Sequence, residues 1–346
     1  MEERSRLDPG EVTRRELMAR GAGVAAGAVL AAASHFAPSL WVAPARAQGL
    51  KKVTWAQGYT GTVDVLAVYA AKERGIFRKN GLDVEIVEYR GGGEFIQSYA
   101  AGASRFGLGA ALPALQGMAR GVKITMVALS VDMLVESLQV PKNSLVKSFK
   151  ELKGKRIGIT RFGSLSESEV RILLKENGMA PTDVTLVPLG SLNALVAALA
   201  AGELDATINT GIIAAKAVAD GVARTLVWMR DVVKSSANEV ITATDEMIAN
   251  EPDVIRALLR SYFEAAKYIR TYPRYAVAEF VHIWGATPAV AQTYYDSEIG
   301  TISPNGAFKR PGLEWAVRTA VELKLIDRPL DLAKVHTTKF VPVNVD

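Results

Sequence analysis

The segment Thr160–Ser166 has the residue types and spacing that point most directly to ligand chemistry. It follows a predicted strand, Arg156–Thr160, and leads into a predicted helix. Gly158 and Gly163 have the spacing of a phosphate-binding loop. Ser164, however, stands where a nucleotide-hydrolysing loop needs the lysine that reaches the β- and γ-phosphates. The segment is therefore predicted to bind an anion or another polar ligand, and not to hydrolyse nucleotides.

Three side chains of this segment could supply the binding. Arg161 could pair a sulfonate or a carboxylate through two parallel hydrogen bonds. The hydroxyls of Ser164 and Ser166 could donate, together with backbone N–H groups at the helix N-terminus. Two alternatives stay open: Arg161 could be a rim or interlobe salt bridge, and Ser166 could be a plain helix cap.

Further loops follow other predicted strands, and ligands of open α/β sheets bind at such strand ends. The Gly58–Gly61 loop offers the Tyr59 ring and a threonine hydroxyl, although a packed tyrosine is the alternative. Gly91–Gly93 would let the backbone approach a ligand closely, or would simply form a flexible turn. The candidate ligand-binding residues are Tyr59, Thr60, Gly92, Gly93, Ala110, Thr160, Arg161, Phe162, Ser164, Ser166, Asn209 and Thr210.

Residues that commonly carry catalysis are scarce. Cysteine is absent, and beyond residue 47 the sequence has two histidines, His282 and His336. No familiar catalytic motif stands out. We therefore predict no catalytic residue, no metal, no cofactor and no enzymatic activity. The alternative is an enzyme with a cleft acid or base, such as Glu94 or Asp132. Glu239 is expected to be a hinge or surface charge.

The predicted elements that position these loops alternate between strand and helix in two sets, over residues 53–129 and 152–228. Such alternation is typical of an α/β fold with doubly wound, mostly parallel sheets. Ala100–Gly102 and Ala200–Gly202 each end a predicted helix just before a short strand. This echo fits two lobes of similar construction, or merely a common helix ending. From Asp245 onward the pattern is helical.

The net charge of +5 comes without any run of five Lys or Arg residues, so no nucleic-acid partner is expected. The N-terminus contains Arg14-Arg15 in a twin-arginine-like motif and then an Ala/Gly-rich apolar stretch. Ala45 and Ala47 form the small-x-small pattern that a signal peptidase accepts. Residues 1–47 are thus predicted to be a signal peptide cleaved between Ala47 and Gln48, which would release the protein to the periplasm. An uncleaved membrane anchor is the alternative.

Several ordered motifs carry a family resemblance. They are Ala70–Phe77, Gly81–Val84, Gly91–Gly93, Leu152–Gly158, Phe162–Ser164 and Ala200–Ala206. Together they resemble type II periplasmic solute-binding proteins of ABC transporters, in the nitrate/sulfonate/taurine and thiamine-precursor-binding (NMT1/THI5-like) branch.

The resemblance implies two α/β lobes joined by two crossing strands, near 131–140 and 229–240, with the ligand between them. Lobe one would comprise 48–130 and 240–346, and lobe two 131–239. The implied function is capture of a small anion, namely a sulfonate, taurine, nitrate or a carboxylate. A monomer would then deliver this anion to an ABC permease and ATPase.

Alternatives to this function are an aromatic or thiamine-pyrimidine-type ligand, a sensing subunit for a membrane kinase, or an enzyme on the same fold. One relative of this fold makes a thiamine pyrimidine with a cysteine-rich motif and a histidine. A chain without cysteine cannot follow that route.

Overall fold

The computed structural model describes residues 49–345. The predicted signal peptide, residues 1–47, and Gln48 on the other side of the predicted cleavage site lie outside these residues. Between residues 49 and 345, no helix combines the length and the apolar character needed to cross a membrane.

The strands form two separate five-stranded sheets. The strands are β1 (Lys51–Gln57), β2 (Leu82–Glu88), β3 (Phe106–Ala110), β4 (Ile124–Val131), β5 (Ser137–Pro141), β6 (Arg156–Ile159), β7 (Thr185–Pro188), β8 (Ala206–Asn209), β9 (Ala223–Trp228) and β10 (Glu239–Thr244). Sheet A has the order β2-β1-β3-β10-β4, and sheet B has the order β7-β6-β8-β5-β9. The predicted α/β fold with two doubly wound sheets is confirmed.

Both sheets follow one plan. Three neighbouring strands are parallel (β2, β1 and β3, or β7, β6 and β8), and the fourth position holds an antiparallel strand. That antiparallel strand is β10 in sheet A and β5 in sheet B, and each arrives directly from the other sheet. Residues 132–136 and 229–238 make these two connections. The sheets are therefore mixed, because a strand that enters from the opposite side runs against its neighbours.

Helices cover the sheets and build the C-terminal part. They are α1 (Val63–Glu73), α2 (Ile76–Lys79), α3 (Gly92–Ala100), α4 (Ala111–Ala119), α5 (Leu165–Glu176), α6 (Leu192–Ala200), α7 (Gly211–Ala219), α8 (Met229–Val232), α9 (Asp245–Asn250), α10 (Pro252–Thr271), α11 (Pro273–Trp284), α12 (Pro288–Glu298), α13 (Arg310–Glu322) and α14 (Leu332–Val335). The short helix α14 is the last element of the described chain.

The Ala-Ala-Gly echo corresponds to equivalent places in the two sheets. α3 ends at Ala100 before β3, and α6 ends at Ala200 before β8. β3 and β8 each occupy the third position of their sheet. In both cases glycine adopts a left-handed conformation with φ of +74°, which side chains with a Cβ rarely tolerate. The same helix-stop-strand unit thus ends both parallel sets.

Large aromatic side chains anchor the C-terminal helices to sheet A. Trp55 of β1 is fully buried and stacks on Tyr262 of α10, with ring centroids 5.7 Å apart. Phe77 and Phe106 pack against the same indole at 5.9 and 5.0 Å. Aromatic pairs at such distances contribute about 0.5–1.5 kcal/mol beyond their burial. This packing holds the strand ends that carry the loops described next.

Candidate functional site

A cavity of ≈ 320 Å³ lies where the parallel strands of both sheets end. It is lined by Gly58, Tyr59, Thr60, Glu88, Tyr89, Arg90, Gly91, Gly92, Ala110, Glu136, Thr160, Ser164, Leu165, Ser166, Glu169, Gly190, Ser191, Leu192, Ile208, Asn209 and Thr210. All six strands of the two parallel sets contribute their carboxyl ends or the residues just beyond them. This is the position at which open α/β sheets bind ligands, and the volume suits a small molecule.

Nine of the twelve residues predicted to bind ligand line this cavity, and three do not: Gly93, Arg161 and Phe162. Phe162 is 59% exposed. An added Cβ on Gly93 would lie 3.1 Å from the Phe162 carbonyl oxygen. Gly93 therefore allows a loop of sheet A and a loop of sheet B to approach each other closely. The sequence had suggested that it allows close approach of a ligand. Contact with ligand stays a prediction for the nine lining residues.

Arg161 is engaged at the rim of the cavity. Its guanidinium lies 3.7 Å from the carboxylate of Glu94 on α3, so the pair joins a loop of sheet B to a helix of sheet A. Both side chains are more than one-third exposed. A salt bridge of Arg161, which the sequence left as an alternative, is the arrangement observed here.

The start of α5 differs from the predicted start. The N-cap is Ser164, whose hydroxyl accepts from the N–H of Glu167, and not Ser166. The Ser164 hydroxyl also donates to the Arg161 carbonyl at 2.6 Å. The Ser166 hydroxyl accepts from the Thr160 N–H at 3.0 Å, inside the loop. These hydroxyls form hydrogen bonds within the loop. Each therefore has fewer donor and acceptor positions left for a ligand.

The loop before α5 is hydrogen-bonded to the first turn of the helix. The Gly163 N–H donates to the carboxylate of Glu167 at 2.5 Å. Gly163 precedes the N-cap Ser164, so this bond uses a loop N–H and not one of the first-turn N–H groups that favour an anion. Anion binding by this loop stays a prediction.

The loop after β1 is also internally bonded. The hydroxyl of Tyr59 donates to the Asp64 carboxylate at 2.5 Å. The aromatic ring is then the part of Tyr59 that could contact a ligand. The Thr60 hydroxyl accepts from the indole N–H of Trp284 at 3.1 Å. Asp64 lies in the first turn of α1, and Thr62 is the N-cap. Burial raises the pKa of the Asp64 carboxyl above its ordinary value.

Three lining carboxyls escaped the sequence prediction, and two of them are buried: Glu136, on the first connection between the sheets, and Glu169, on α5. They are 5% and 0% exposed. Burial raises the pKa of Glu136 to about 7. Burial, and then the charge of the neighbouring Glu136, raises the pKa of Glu169 well above its ordinary value. Neither carboxyl forms an ion pair with any described Lys, Arg or His residue.

A sequence signal existed for one of them. Glu169 shares a face of α5 with Leu165, Ile172 and Leu173, and the last two are buried. A charged residue at a core-facing position of an amphipathic helix is unusual, so it marks a candidate functional group. For Glu136 there was no such signal, because it lies in a five-residue connection without periodicity.

Glu239, expected to be a hinge or surface charge, is only 3% exposed at the start of β10. Burial, followed by the charges of Glu136 and Asp64, raises its pKa well above the ordinary value. Its neighbour Asn238 donates to Glu136 at 3.3 Å. The two connections between the sheets thus bring buried acids together behind the cavity.

Several buried polar atoms at the cavity have no hydrogen-bond partner within residues 49–345. They are both carboxyl oxygens of Glu169, the amide Nδ2 of Asn209 and the hydroxyl of Thr210. Buried polar groups in folded proteins are almost always paired. Their location in the lining makes them the groups that a bound molecule would satisfy.

The two sides of the cavity also touch through backbone. The N–H of Ile212, in the first turn of α7, donates to the Gly61 carbonyl at 2.8 Å. Gly211 carries no Cβ, and an added one would lie 2.2 Å from that carbonyl oxygen. Together with Glu94 and Arg161, these contacts bridge the cavity on two sides.

Comparison with known sequences gives one family. The sequence profile described as "NMT1/THI5 like" matches residues 62–276, more than half of the chain. A relative from Schizosaccharomyces pombe, named 4-amino-5-hydroxymethyl-2-methylpyrimidine phosphate synthase, is 26% identical over 243 residues. That match covers 67% of this chain and 69% of the relative.

Comparison with solved structures gives the fold. The alkanesulfonate-binding protein SsuA from Xanthomonas axonopodis pv. citri, bound to MOPS, superposes with a TM-score of 0.72 at 18% identity. The match covers 84% of this chain and 99% of that one. The periplasmic aliphatic sulphonate binding protein SsuA from Escherichia coli gives a TM-score of 0.68 at 19% identity, with coverages of 86% and 94%. The predicted periplasmic-binding-protein fold is confirmed.

The prediction that the chain is not an enzyme requires correction. The Schizosaccharomyces pombe relative and three Saccharomyces cerevisiae relatives carry a synthase name, which denotes an enzyme. The sequence prediction rested on missing histidine and cysteine motifs, and it overlooked the buried carboxyls Glu136 and Glu169.

Proposed function

The chain belongs to the NMT1/THI5-like family, and from that premise we propose that it is the solute-binding subunit of an ABC importer. One observation carries the proposal. The cavity lies between two sheets of the same plan, and at its wall buried polar atoms of Glu169, Asn209 and Thr210 have no hydrogen-bond partner among residues 49–345. A captured small molecule would supply those partners.

Capture would involve movement of two lobes, 48–130 with 240–346, and 131–239. The support is that only residues 132–136 and 229–238 join the strands of the two sheets within the described chain. Side-to-side contacts such as Gly61–Ile212 can form only when the cavity is covered. Two short connections of this kind act as a hinge.

The remaining parts of the proposal follow from the role. The protein would be exported by the twin-arginine route, lose residues 1–47, and act in the periplasm as a monomer. There it would present its ligand to a permease and an ATPase. A sensing subunit for a membrane kinase would use the same cavity. Capture of the membrane partner distinguishes the two roles, because a transport subunit would bind the permease and a sensing subunit would bind the kinase.

The acidic lining bears on the ligand. Among the described residues, Glu88, Glu136 and Glu169 line the cavity, against one basic residue, Arg90; Glu88 and Arg90 are exposed. Any of these carboxyls that is ionised would repel a sulfonate, nitrate or carboxylate. An uncharged aromatic or pyrimidine-type ligand, the sequence alternative, meets no such repulsion.

A synthase related to the named relatives is the second candidate function. The observation in its favour is the adjacent pair Glu136 and Glu169, since carboxyls with raised pKa values are common acid and base catalysts.

One experiment addresses both functions. The purified chain is melted with a panel of sulfonates, taurine, nitrate, carboxylates and amino- and oxo-pyrimidines, and each stabilising compound is then incubated with the protein and analysed by mass spectrometry. A solute-binding role predicts a raised melting temperature and unchanged compound. Conversion of the compound identifies the synthase role, and a panel without any shift contradicts solute capture.

A further inference from the structure

Trp284, the last residue of α11, forms two hydrogen bonds in different directions. Its indole N–H donates to the hydroxyl of Thr60, a residue that lines the cavity, at 3.1 Å. Its backbone carbonyl accepts from the ammonium of Lys216 at 2.8 Å. Lys216 lies on α7, which follows β8 of sheet B, whereas α11 contributes Phe280 to the apolar core beneath sheet A. One residue thus contacts both the cavity wall and a helix of the opposite sheet.

Aromatic packing fixes the direction of the indole N–H. The ring centroid of Trp284 lies 5.2 Å from that of the buried Phe280 and 5.8 Å from that of Tyr69 on α1. These contacts do not involve the cavity. Because the Thr60 hydroxyl accepts the indole N–H, its own hydrogen stays available to donate. Trp284 therefore orients the one hydroxyl that Thr60 offers to the cavity.

The Lys216 ammonium lies over the C-terminal end of α11. The carbonyl of a last helical residue has no partner within its own helix, and the helix dipole makes this end negative. An added Cβ on Gly285, the next residue, would lie 3.5 Å from the lysine nitrogen. Among residues 49–345, no carboxylate forms an ion pair with Lys216. A lysine from the side of sheet B thus caps a helix on the side of sheet A.

We propose that Lys216 and Trp284 form a latch: Lys216 holds the closed arrangement of the two lobes through the C-terminus of α11, and Trp284 transmits that arrangement to the cavity by positioning the Thr60 hydroxyl. The latch rests on the lobe movement of the proposed function. Separation of the lobes moves α7 away from α11, and water then replaces each partner. Neither Lys216 nor Trp284 lines the cavity, so both act as positioning residues.

The lysine is tested by the distance between the lobes. The sequence has no cysteine, so Ala100→Cys with Ala200→Cys places spin labels only at the exposed, equivalent ends of α3 and α6. Pulsed electron paramagnetic resonance measures the distances without additive and with saturating taurine, MOPS or 4-amino-5-hydroxymethyl-2-methylpyrimidine. Lys216→Met should lower the ratio of closed to open distances roughly three- to thirtyfold, the effect of losing a cation at a helix C-terminus. Lys216→Arg keeps the cation and should retain most of the ratio, and exposed Lys150→Met is the matched control.

The indole is tested by affinity. Trp284→Phe keeps the ring and the carbonyl that accepts from Lys216 but removes the indole N–H, so the closed distances should persist. Calorimetric affinity for whichever of the three probes binds wild type should fall about three- to tenfold, the usual effect of one neutral hydrogen bond. In a Thr60→Val background the same substitution should have no further effect, because the indole acts through that hydroxyl. Thr60→Ser keeps the hydroxyl and should bind like wild type, and Trp315→Phe, on α13 away from the cavity, is the matched control.

Thermal melts establish that each variant is folded. An unchanged ratio of closed to open distances in folded Lys216→Met overturns the latch, and this result decides it even when no probe binds. An affinity loss in Trp284→Phe that persists in the Thr60→Val background overturns the positioning role of the indole. A wild-type chain with a single distance under every condition also overturns the latch, and it contradicts solute capture only if none of the compounds in the wider panel binds.

Discussion

The guanidinium of Arg161 and the carboxylate of Glu94 lie 3.7 Å apart on opposite sides of the cavity mouth. One follows β6 of sheet B and the other belongs to α3 beside sheet A. This pair closes the rim with two side chains that each keep access to solvent. Because Arg161 pairs with Glu94, substitution of Arg161 is expected to remove an exposed ion pair and not a direct ligand contact.

Arg161→Gln is expected to weaken ligand binding by no more than about fivefold, because exposed ion pairs contribute about 1 kcal/mol or less. Glu94→Gln should have the same effect, and the charge-swapped double variant Glu94→Arg/Arg161→Glu should recover most of it. Titration calorimetry measures all three. A loss of tenfold or more in Arg161→Gln alone, with Glu94→Gln unaffected, would show that the arginine contacts the ligand directly.

Gly93→Ala should hinder closure without unfolding the chain. The new Cβ would lie 3.1 Å from the Phe162 carbonyl oxygen across the rim, a contact that exists only when the two sides meet. Overpacking of this kind costs about 1–3 kcal/mol, which corresponds to roughly five- to a hundredfold in affinity.

The matched control for this substitution is Gly300→Ala, since nothing lies within 4 Å of a Cβ there. Small-angle scattering should show a smaller radius of gyration with ligand for wild type and for Gly300→Ala, and a reduced change for Gly93→Ala. A wild-type radius and affinity in Gly93→Ala would mean that closure does not bring these loops together.

Stability should decrease as pH rises toward neutrality. The pKa of Glu136 is about 7 in the folded chain, against an ordinary value of 4.5. Between these values the folded state binds more protons than the unfolded state, so the free energy of unfolding falls with increasing pH. The contribution is fully present below pH 4.5 and is lost as pH rises through 7. Its size is about 3 kcal/mol.

Glu136→Gln cannot ionise, so it should flatten this dependence and melt at a higher temperature than wild type at about pH 8. The pKa values of Glu169 and Glu239 are raised too, and they leave part of the slope in the variant. Thermal melts across the range, with exposed Glu176→Gln as control, provide the measurement. Parallel curves for wild type and Glu136→Gln would contradict a buried, proton-binding Glu136.

Export should depend on Arg14 and Arg15. Replacement of both by lysine is expected to abolish periplasmic accumulation, because the twin-arginine motif is the predicted address. N-terminal sequencing of exported wild-type protein should begin at Gln48. Export of the double-lysine chain at normal levels, or a soluble exported form that retains residues before Ala47, would contradict this prediction.

The sequence by itself determined the α/β fold and most of the loops at the cavity. Alternating strands and helices with glycine stops are local patterns, and parallel strands necessarily bring their carboxyl ends to one edge of a sheet. The sequence alone therefore predicted that four residues lie near one another: Tyr59, Thr160, Asn209 and Thr210. Family motifs supplied the two-lobe arrangement.

Only the tertiary structure decided the chemistry of the cavity. Whether Arg161 faces a ligand or Glu94 depends on a residue 67 positions away in the chain. The raised pKa values of Glu136, Glu169 and Glu239 arise from burial and mutual proximity. Both are properties of the packed chain, because desolvation and charge interactions depend on distances in space and not along the sequence. For that reason the loop of Arg161 suggested an anion from the sequence, whereas the folded cavity adds the buried carboxyls of Glu136 and Glu169 to its wall.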